Sequence, residues 1–90
     1  MSYAVEVYRS FGGASRPWSD SDLAREAAAL RNEGHAVDYL GCVALPGDDT
    51  VFYLFEAPSR EPVEEVVRRL GLTPERIVDA QATGFGGAGL

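Results

Sequence analysis

A run of five apolar residues, Val51 to Phe55, limits the fold of this chain more than any other feature. The run ends at Glu56, and its length and β-branched and aromatic content are typical of a strand. Side chains in a strand alternate between the two faces of the sheet, so a half-buried strand alternates apolar with polar residues. The unbroken run therefore predicts a strand that must be covered on both of its faces.

The rest of the chain alternates between strand-like and helix-like segments. Ser19 or Asp20 provides an N-cap for the first helix, Gly34 a left-handed end for it, and Gly71 the end of the second. The six predicted elements are a strand at 3–9, a helix at 19–34, strands at 36–45 and 51–57, a helix at 60–70 and a strand at 76–82.

The order β-α-β-β-α-β is that of the α+β, ferredoxin-like sandwich. Right-handed crossovers place both helices on one face of a four-stranded antiparallel sheet, with the first and third strands in its centre. The alternative is a small open α+β sheet with another strand order. We expect one domain over residues 1–82, followed by a flexible glycine-rich tail at 83–90.

The helices of such a fold cover only one face of the sheet. The third strand is apolar on both faces, and the first strand places Ala4 and Tyr8 opposite its valines. Large exposed apolar patches on small domains mark interfaces or ligand surfaces. We therefore expect a homodimer through the open sheet face, in a dimeric α+β barrel-type assembly. A small, partly apolar ligand would lie at the open face or in a cleft between sheet and helices.

Composition excludes several other classes of partner. The net charge is −6, and the eight basic residues, all arginines, are scattered along the chain, which disfavours nucleic acid and anionic membranes. No apolar run approaches the ~20 residues needed to cross a bilayer. No basic region precedes the first strand, so we expect no signal peptide and a cytoplasmic location. The single cysteine, Cys42, excludes an intrachain disulfide.

Several motifs resemble those of a family of short bacterial proteins of unknown function that is named after a nickel-binding member. They are "VEVYR" at 5–9, Glu33-Gly34, "EAPS" at 56–59, "VEEVVRRL" at 63–70, "GL" at 71–72 and "RI" at 76–77. The similarity spans residues 3–82. The resemblance implies a ferredoxin-like fold and a dimeric assembly.

The resemblance also raises nickel binding. The nickel-binding member is rich in histidine near the first strand and helix, whereas this chain offers only His35 near such a position. Nickel favours several imidazole or thiolate ligands, and His35 with Cys42 is a poor set. We expect no cofactor. The alternative is nickel or another divalent metal, held by His35, Glu6 or Glu56 from two chains at a dimer interface.

Proton-transfer chemistry is the second possibility. Glu6 and Glu56 lie on the two predicted central strands, and walls of Tyr8, Tyr53 or Phe55 would raise the pKa values of such a carboxylate pair. These five residues are the predicted ligand-binding set. Structural ion pairs are common, however, and they favour the other interpretation, in which Glu6 pairs with an arginine such as Arg9 or Arg76 while Glu56 lies at a strand end near solvent.

Three function classes remain open at this point. The first is a binding module without catalysis, and the second is a small cofactor-free isomerase, cyclase or oxygenase that uses Glu6, Tyr8, His35 or Tyr53. The third is a nickel-binding protein. Cys42 is expected to be a small buried residue, with a nucleophile as the alternative. Trp18 is expected to staple the first helix, with a lid over a ligand as the alternative.

Overall fold

A computed structural model describes residues 1–8, 19–71 and 74–81 of the chain. Its elements are β1 (Ser2–Tyr8), α1 (Asp20–Asn32), β2 (Asp38–Leu45), a 3-10 turn (Pro46–Asp48), β3 (Thr50–Glu56), α2 (Arg60–Leu70) and β4 (Arg76–Ala80). All six predicted elements are present. The predictions for Trp18 and for the tail at 83–90 fall outside the described residues.

The four strands form one antiparallel sheet in the order β2-β3-β1-β4. β1 and β3 are central, as predicted, and β2 and β4 are the edges. With both helices packed on one face, this is the ferredoxin-like arrangement, and the alternative strand order is wrong.

The helix ends follow the caps in the sequence, with one exception. Ser19 is the N-cap of α1, and its side chain and that of Asp22 each accept a hydrogen bond from the other residue's backbone N–H. Gly71 ends α2 with φ 71°, a left-handed conformation that glycine adopts without strain. Ser59 occupies the N-cap of α2, but its side chain makes no capping hydrogen bond.

The core lies between the sheet and the helices. Alternate residues of β1 and β3 point into it, which leaves the residues between them on the open face. Each fully buried valine, leucine or phenylalanine there contributes about 1.5–3 kcal/mol relative to an exposed one. The core consists of Tyr3, Val5, Val7, Leu23, Ala27, Leu30, Val37, Val51, Tyr53, Phe55, Ala57, Val63, Val66 and Val67.

The open face is less exposed than its sequence predicts. Ala4 and Leu54 lie near its centre, outside the core cluster, yet they are only 5% and 7% exposed within the single chain. Met1, at the start of β1, is 66% exposed; the other large exposed apolar side chains of the described residues lie at the end of the face where β1 ends and β2 turns into β3: Tyr8 at 56%, Val43 at 37% and Leu45 at 39%. The expectation of an apolar face exposed throughout is therefore wrong at its centre and holds at this end.

A β-bulge in β2 decides which side chains reach that end. Tyr39 pairs with Phe55 of β3, but the next paired residue is Gly41, opposite Leu54. Gly41 has φ 140°, and a Cβ built there would meet no atom within 4 Å. Backbone conformation, not crowding, therefore favours glycine at the bulge.

Candidate functional site

The predicted site residues are divided between the two faces of the sheet. Glu6 and Tyr8 lie on the open face, as expected from the alternation of β1. Tyr53 and Phe55 are buried among the helices, at 2% and 0% exposure. The expectation that Tyr53 or Phe55 would wall Glu6 is therefore wrong, because the apolar run gives no alternation from which to read the face of each residue.

Glu6 and Glu56 do not form a carboxylate pair. Glu6 lies opposite Phe52, and Glu56 lies opposite Ser2 at the far end of the same face. Four residues of strand separate the two positions, a distance of about 13 Å at the usual rise. Glu56 instead accepts hydrogen bonds from the amino group of Met1 and, at 2.8 Å, from the Ser2 hydroxyl. These two hydrogen bonds lower the pKa of Glu56, and the bond from Met1 has the larger effect.

Glu6 pairs with Arg76, one of the two arginines that the sequence favoured as its partner. Its Oε1 accepts a hydrogen bond from Nε of Arg76, the residue opposite it on β4, at 2.6 Å. The Glu6 side chain is 9% exposed and that of Arg76 is 67% exposed. The bond raises the pKa of Arg76. Glu6 is therefore a fixed, buried hydrogen-bond acceptor whose partner extends into solvent.

A cleft of about 520 Å³ opens beside Glu6 at the exposed end of the sheet, and we call it the sheet-end cleft. Its volume lies within the range of about 300–1,000 Å³ that is typical of small-molecule sites. It combines aromatic and aliphatic walls with carboxylates and a hydroxyl. The lining residues are Glu6, Tyr8, Leu45, Asp48, Asp49, Thr50 and Phe52.

The turn between β2 and β3 forms one side of this cleft. Asp49 has φ 51°, a left-handed conformation that aspartate tolerates better than most residues. The buried hydroxyl of Thr50 donates to the backbone carbonyl of Asp48 at 2.9 Å. The turn thus holds two carboxylates near the carboxyl end of β1, where Tyr8 lies opposite Thr50.

His35 lies elsewhere, just beyond α1, where its backbone N–H donates to the Leu30 carbonyl at 2.9 Å. It borders a second cleft of about 560 Å³ next to α2, which is lined mainly by charged side chains. Within residues 1–8, 19–71 and 74–81, no three His, Cys, Asp or Glu side chains gather closely enough to hold a metal. His35 therefore joins neither Glu6 nor Glu56 in a described metal site within one chain.

Cys42 is exposed, contrary to the expectation that it would be buried. It follows the bulge on edge strand β2, where the sheet has no further strand beside it.

Tyr39, on the same strand, packs its ring at an angle against that of Phe55, with ring centroids 5.4 Å apart. Its hydroxyl donates a hydrogen bond to Asp20. Burial, and then this hydrogen bond, raise the pKa of Tyr39. The contact attaches the edge strand to the first turn of α1.

Five residues of the sheet-end cleft were not predicted from the sequence: Leu45, Asp48, Asp49, Thr50 and Phe52. The hairpin itself carried the missing signal, because pairing β3 with β1 brings the residues after the turn opposite the end of β1. Arg69 of α2 donates to Glu33, the C-cap of α1, at 2.6 and 2.7 Å and so joins the two helices.

Comparison with known proteins supports the fold and goes no further. No family model and no curated protein matches the chain. A solved structure does match it, that of SCO4226 from Streptomyces coelicolor A3(2), with 20% sequence identity and a TM-score of 0.58. The match covers 92% of this chain and 99% of the other. At that identity the likeness establishes a shared ferredoxin-like α+β fold.

None of the helices in residues 1–8, 19–71 and 74–81 is long and apolar enough to cross a membrane.

Proposed function

We propose that this protein binds a small, partly apolar molecule in the sheet-end cleft. The observation that carries the proposal is the composition of the cleft, where Phe52, Tyr8 and Leu45 offer apolar surface beside the buried Glu6 and Thr50. Small-molecule sites typically combine mainly apolar walls with a few placed polar groups. By contrast, Pro62 is the only apolar residue among the described residues that line the cleft beside His35.

The fixed geometry of the polar groups favours binding over catalysis. Glu6 is held by Arg76, and the Thr50 hydroxyl is held by the carbonyl of Asp48. Groups that are already oriented lose little freedom when a ligand arrives, which favours affinity. The proton-transfer alternative has weaker support, since His35 and Tyr53 lie away from Glu6 and Tyr8, in the second cleft and in the core.

A second copy of the chain is the proposed cover for this end of the sheet. Tyr8, Val43 and Leu45 expose apolar surface on one face, and sheets pack face to face at about 10 Å separation. A partner sheet there would enclose the cleft and place the ligand between the two copies. A cytoplasmic location is also proposed, since an exposed free thiol such as that of Cys42 is typical of reducing compartments.

Membership of the family named after a nickel-binding protein stays a prediction, as does metal binding. Nickel binding has little support from the described residues, because His35 borders the second cleft and Cys42 lies on the edge strand. A nickel-induced rise in thermal midpoint that disappears in His35→Ala would be the evidence for a metal site.

Native mass spectrometry of the protein purified from its natural source tests the binding proposal and the dimer together. We expect a dimer mass with a retained small molecule. Phe52→Ala should lose this molecule, whereas Val78→Ala should keep it, because Val78 lies on the open face outside the cleft. Retention by both variants would move the site elsewhere.

Two further outcomes would contradict parts of the proposal separately. A chain that stays monomeric at high protein concentration would refute the dimer. Absence of any retained molecule, followed by a screen of small aromatic and aliphatic compounds that leaves the amide NMR signals of Glu6, Tyr8 and Phe52 unchanged, would refute ligand binding at the cleft.

A further inference from the structure

The charged side chains among the described residues that line the sheet-end cleft are all negative. Glu6, Asp48 and Asp49 bring three carboxylates to its lining, and no described arginine or histidine lines it. Arg76 lies next to it and already binds Glu6. Within residues 1–8, 19–71 and 74–81, no ion pair joins Asp48 or Asp49 to a cation. The cleft therefore presents two carboxylates without a described counter-ion.

The walls of the same cleft suit a positive charge. Tyr8 is 56% exposed and Phe52 is half-buried, so the surface of both rings is partly open to a ligand. The face of an aromatic ring attracts ammonium groups within about 6 Å of its centre. Aromatic rings and carboxylates together form sites that favour organic cations over neutral molecules of the same shape.

We infer that the ligand of the sheet-end cleft is an organic cation, a protonated or quaternary amine attached to an aromatic or aliphatic body. The inference rests on the proposed function, since it assigns a ligand class to the same cleft. Phe52 and Leu45 take up the apolar body, and the charged nitrogen lies toward Asp48, Asp49 and the ring of Tyr8. Anions are disfavoured, because Arg76 is engaged with Glu6. The net charge of −6 for the whole chain also attracts cations over longer distances.

The experiment uses three probes of similar size: 2-phenylethylamine as the cation, 2-phenylethanol as the neutral molecule and 3-phenylpropionate as the anion. Their dissociation constants are measured from the amide NMR shifts of the full chain at pH 7 and low salt. We expect the cation to bind about 10-fold more tightly than the alcohol, a difference of about 1.4 kcal/mol. The anion should bind more weakly than the alcohol.

Two double variants localise the effect. Asp48→Asn with Asp49→Asn should bring the cation to within about 2-fold of the alcohol, because the charge–charge attraction is lost while the rings remain. Asparagine is compatible with the left-handed backbone at position 49, so the turn should keep its shape. Glu61→Gln with Glu64→Gln removes the same charge beside the second cleft and should preserve the preference for the cation.

The outcomes separate this inference from the function on which it rests. If the alcohol or the anion binds in the cleft as tightly as the cation, the cleft binds ligands but the charge assignment is wrong. Equal loss of preference in both double variants would also overturn it, by showing that net charge alone steers the cation. If none of the three probes shifts the signals of Tyr8 and Phe52 at millimolar concentration, the inference is refuted. Native mass spectrometry then decides the proposed function independently.

Discussion

Tyr39→Phe should make the protein less stable than the wild type at neutral pH and at least as stable in alkali. The hydroxyl of Tyr39 donates to Asp20 at 2.5 Å, which ties edge strand β2 to α1. Burial, followed by that bond, raises the pKa of Tyr39 above the ordinary tyrosine value of about 10. Above about pH 10 the unfolded chain therefore loses this proton while the folded chain retains it. The stability that the raised pKa of Tyr39 contributes is therefore fully present below about pH 10 and decreases as the pH rises further.

The magnitudes predict where the two stability curves cross. Loss of the hydrogen bond costs the variant about 1 kcal/mol at pH 7, with a usual range of about 0.5–1.5 kcal/mol. Each pH unit above about 10 removes at most about 1.4 kcal/mol from the wild type at this position, and nothing from the variant. The curves should therefore cross between about pH 10 and 11. Since Tyr39 is only partly buried, solvent moves the crossing toward the upper end.

Urea unfolding followed by circular dichroism at pH 7, 9, 10 and 11 measures this difference. Tyr8→Phe is the control, because it removes a phenol from an exposed ring that is not bonded to Asp20. The reasoning is refuted if Tyr39→Phe remains less stable than the wild type by a constant amount through pH 11, or if Tyr8→Phe crosses the wild type in the same way.

Three further predictions follow from the assignment of faces and from exposure. Phe55→Ala should lower the free energy of unfolding by about 3–5 kcal/mol, whereas Phe52→Ala on the open face should lower it by less than half of that. If urea unfolding gives similar losses for the two variants, the assignment of Phe55 to the core and Phe52 to the open face is wrong. Glu56→Gln should reduce the fall in thermal midpoint that occurs below about pH 4. The lowered pKa of Glu56 contributes stability above the pKa that this group has in the unfolded chain, and this contribution is lost when Glu56 is protonated. A thermal midpoint that depends on pH in the same way in both proteins would argue against the bond to Met1. An aromatic disulfide reagent should label Cys42 in the folded protein as fast as in urea, and labelling only after unfolding would show that it is buried.

The fold was accessible from sequence because its signals are local and agree with one another. Gly34 and Gly71 follow the two helices with positive φ, and Leu23, Ala27 and Leu30 recur at helical spacing in α1. Order and handedness then leave few topologies for two helices and four strands. The ferredoxin-like prediction was therefore correct in both element order and strand order.

The candidate site was only partly accessible, because it depends on which way each strand residue points. In β1 the polar Glu6 lies between Val5 and Val7, so its face could be predicted. In β3 every residue of the run is apolar, and Tyr53 and Phe55 were assigned to the site although Phe52 belongs there. Pairings such as Glu6 with Arg76 depend on strand register, and the sequence offered Arg76 only as one of two arginines.

The bulge at Gly41 has a consequence for comparing relatives of this chain. One additional residue in a strand inverts the orientation of every side chain that follows it. Val43 and Leu45 therefore lie on the open face of the sheet, and not on the face that the helices cover, because of how many residues precede them in β2 and not because of their chemical type. An alignment that omits the additional residue of β2 would match residues of the open face with residues of the opposite face in a relative. The number of residues in β2 must therefore be established before this surface is compared among relatives.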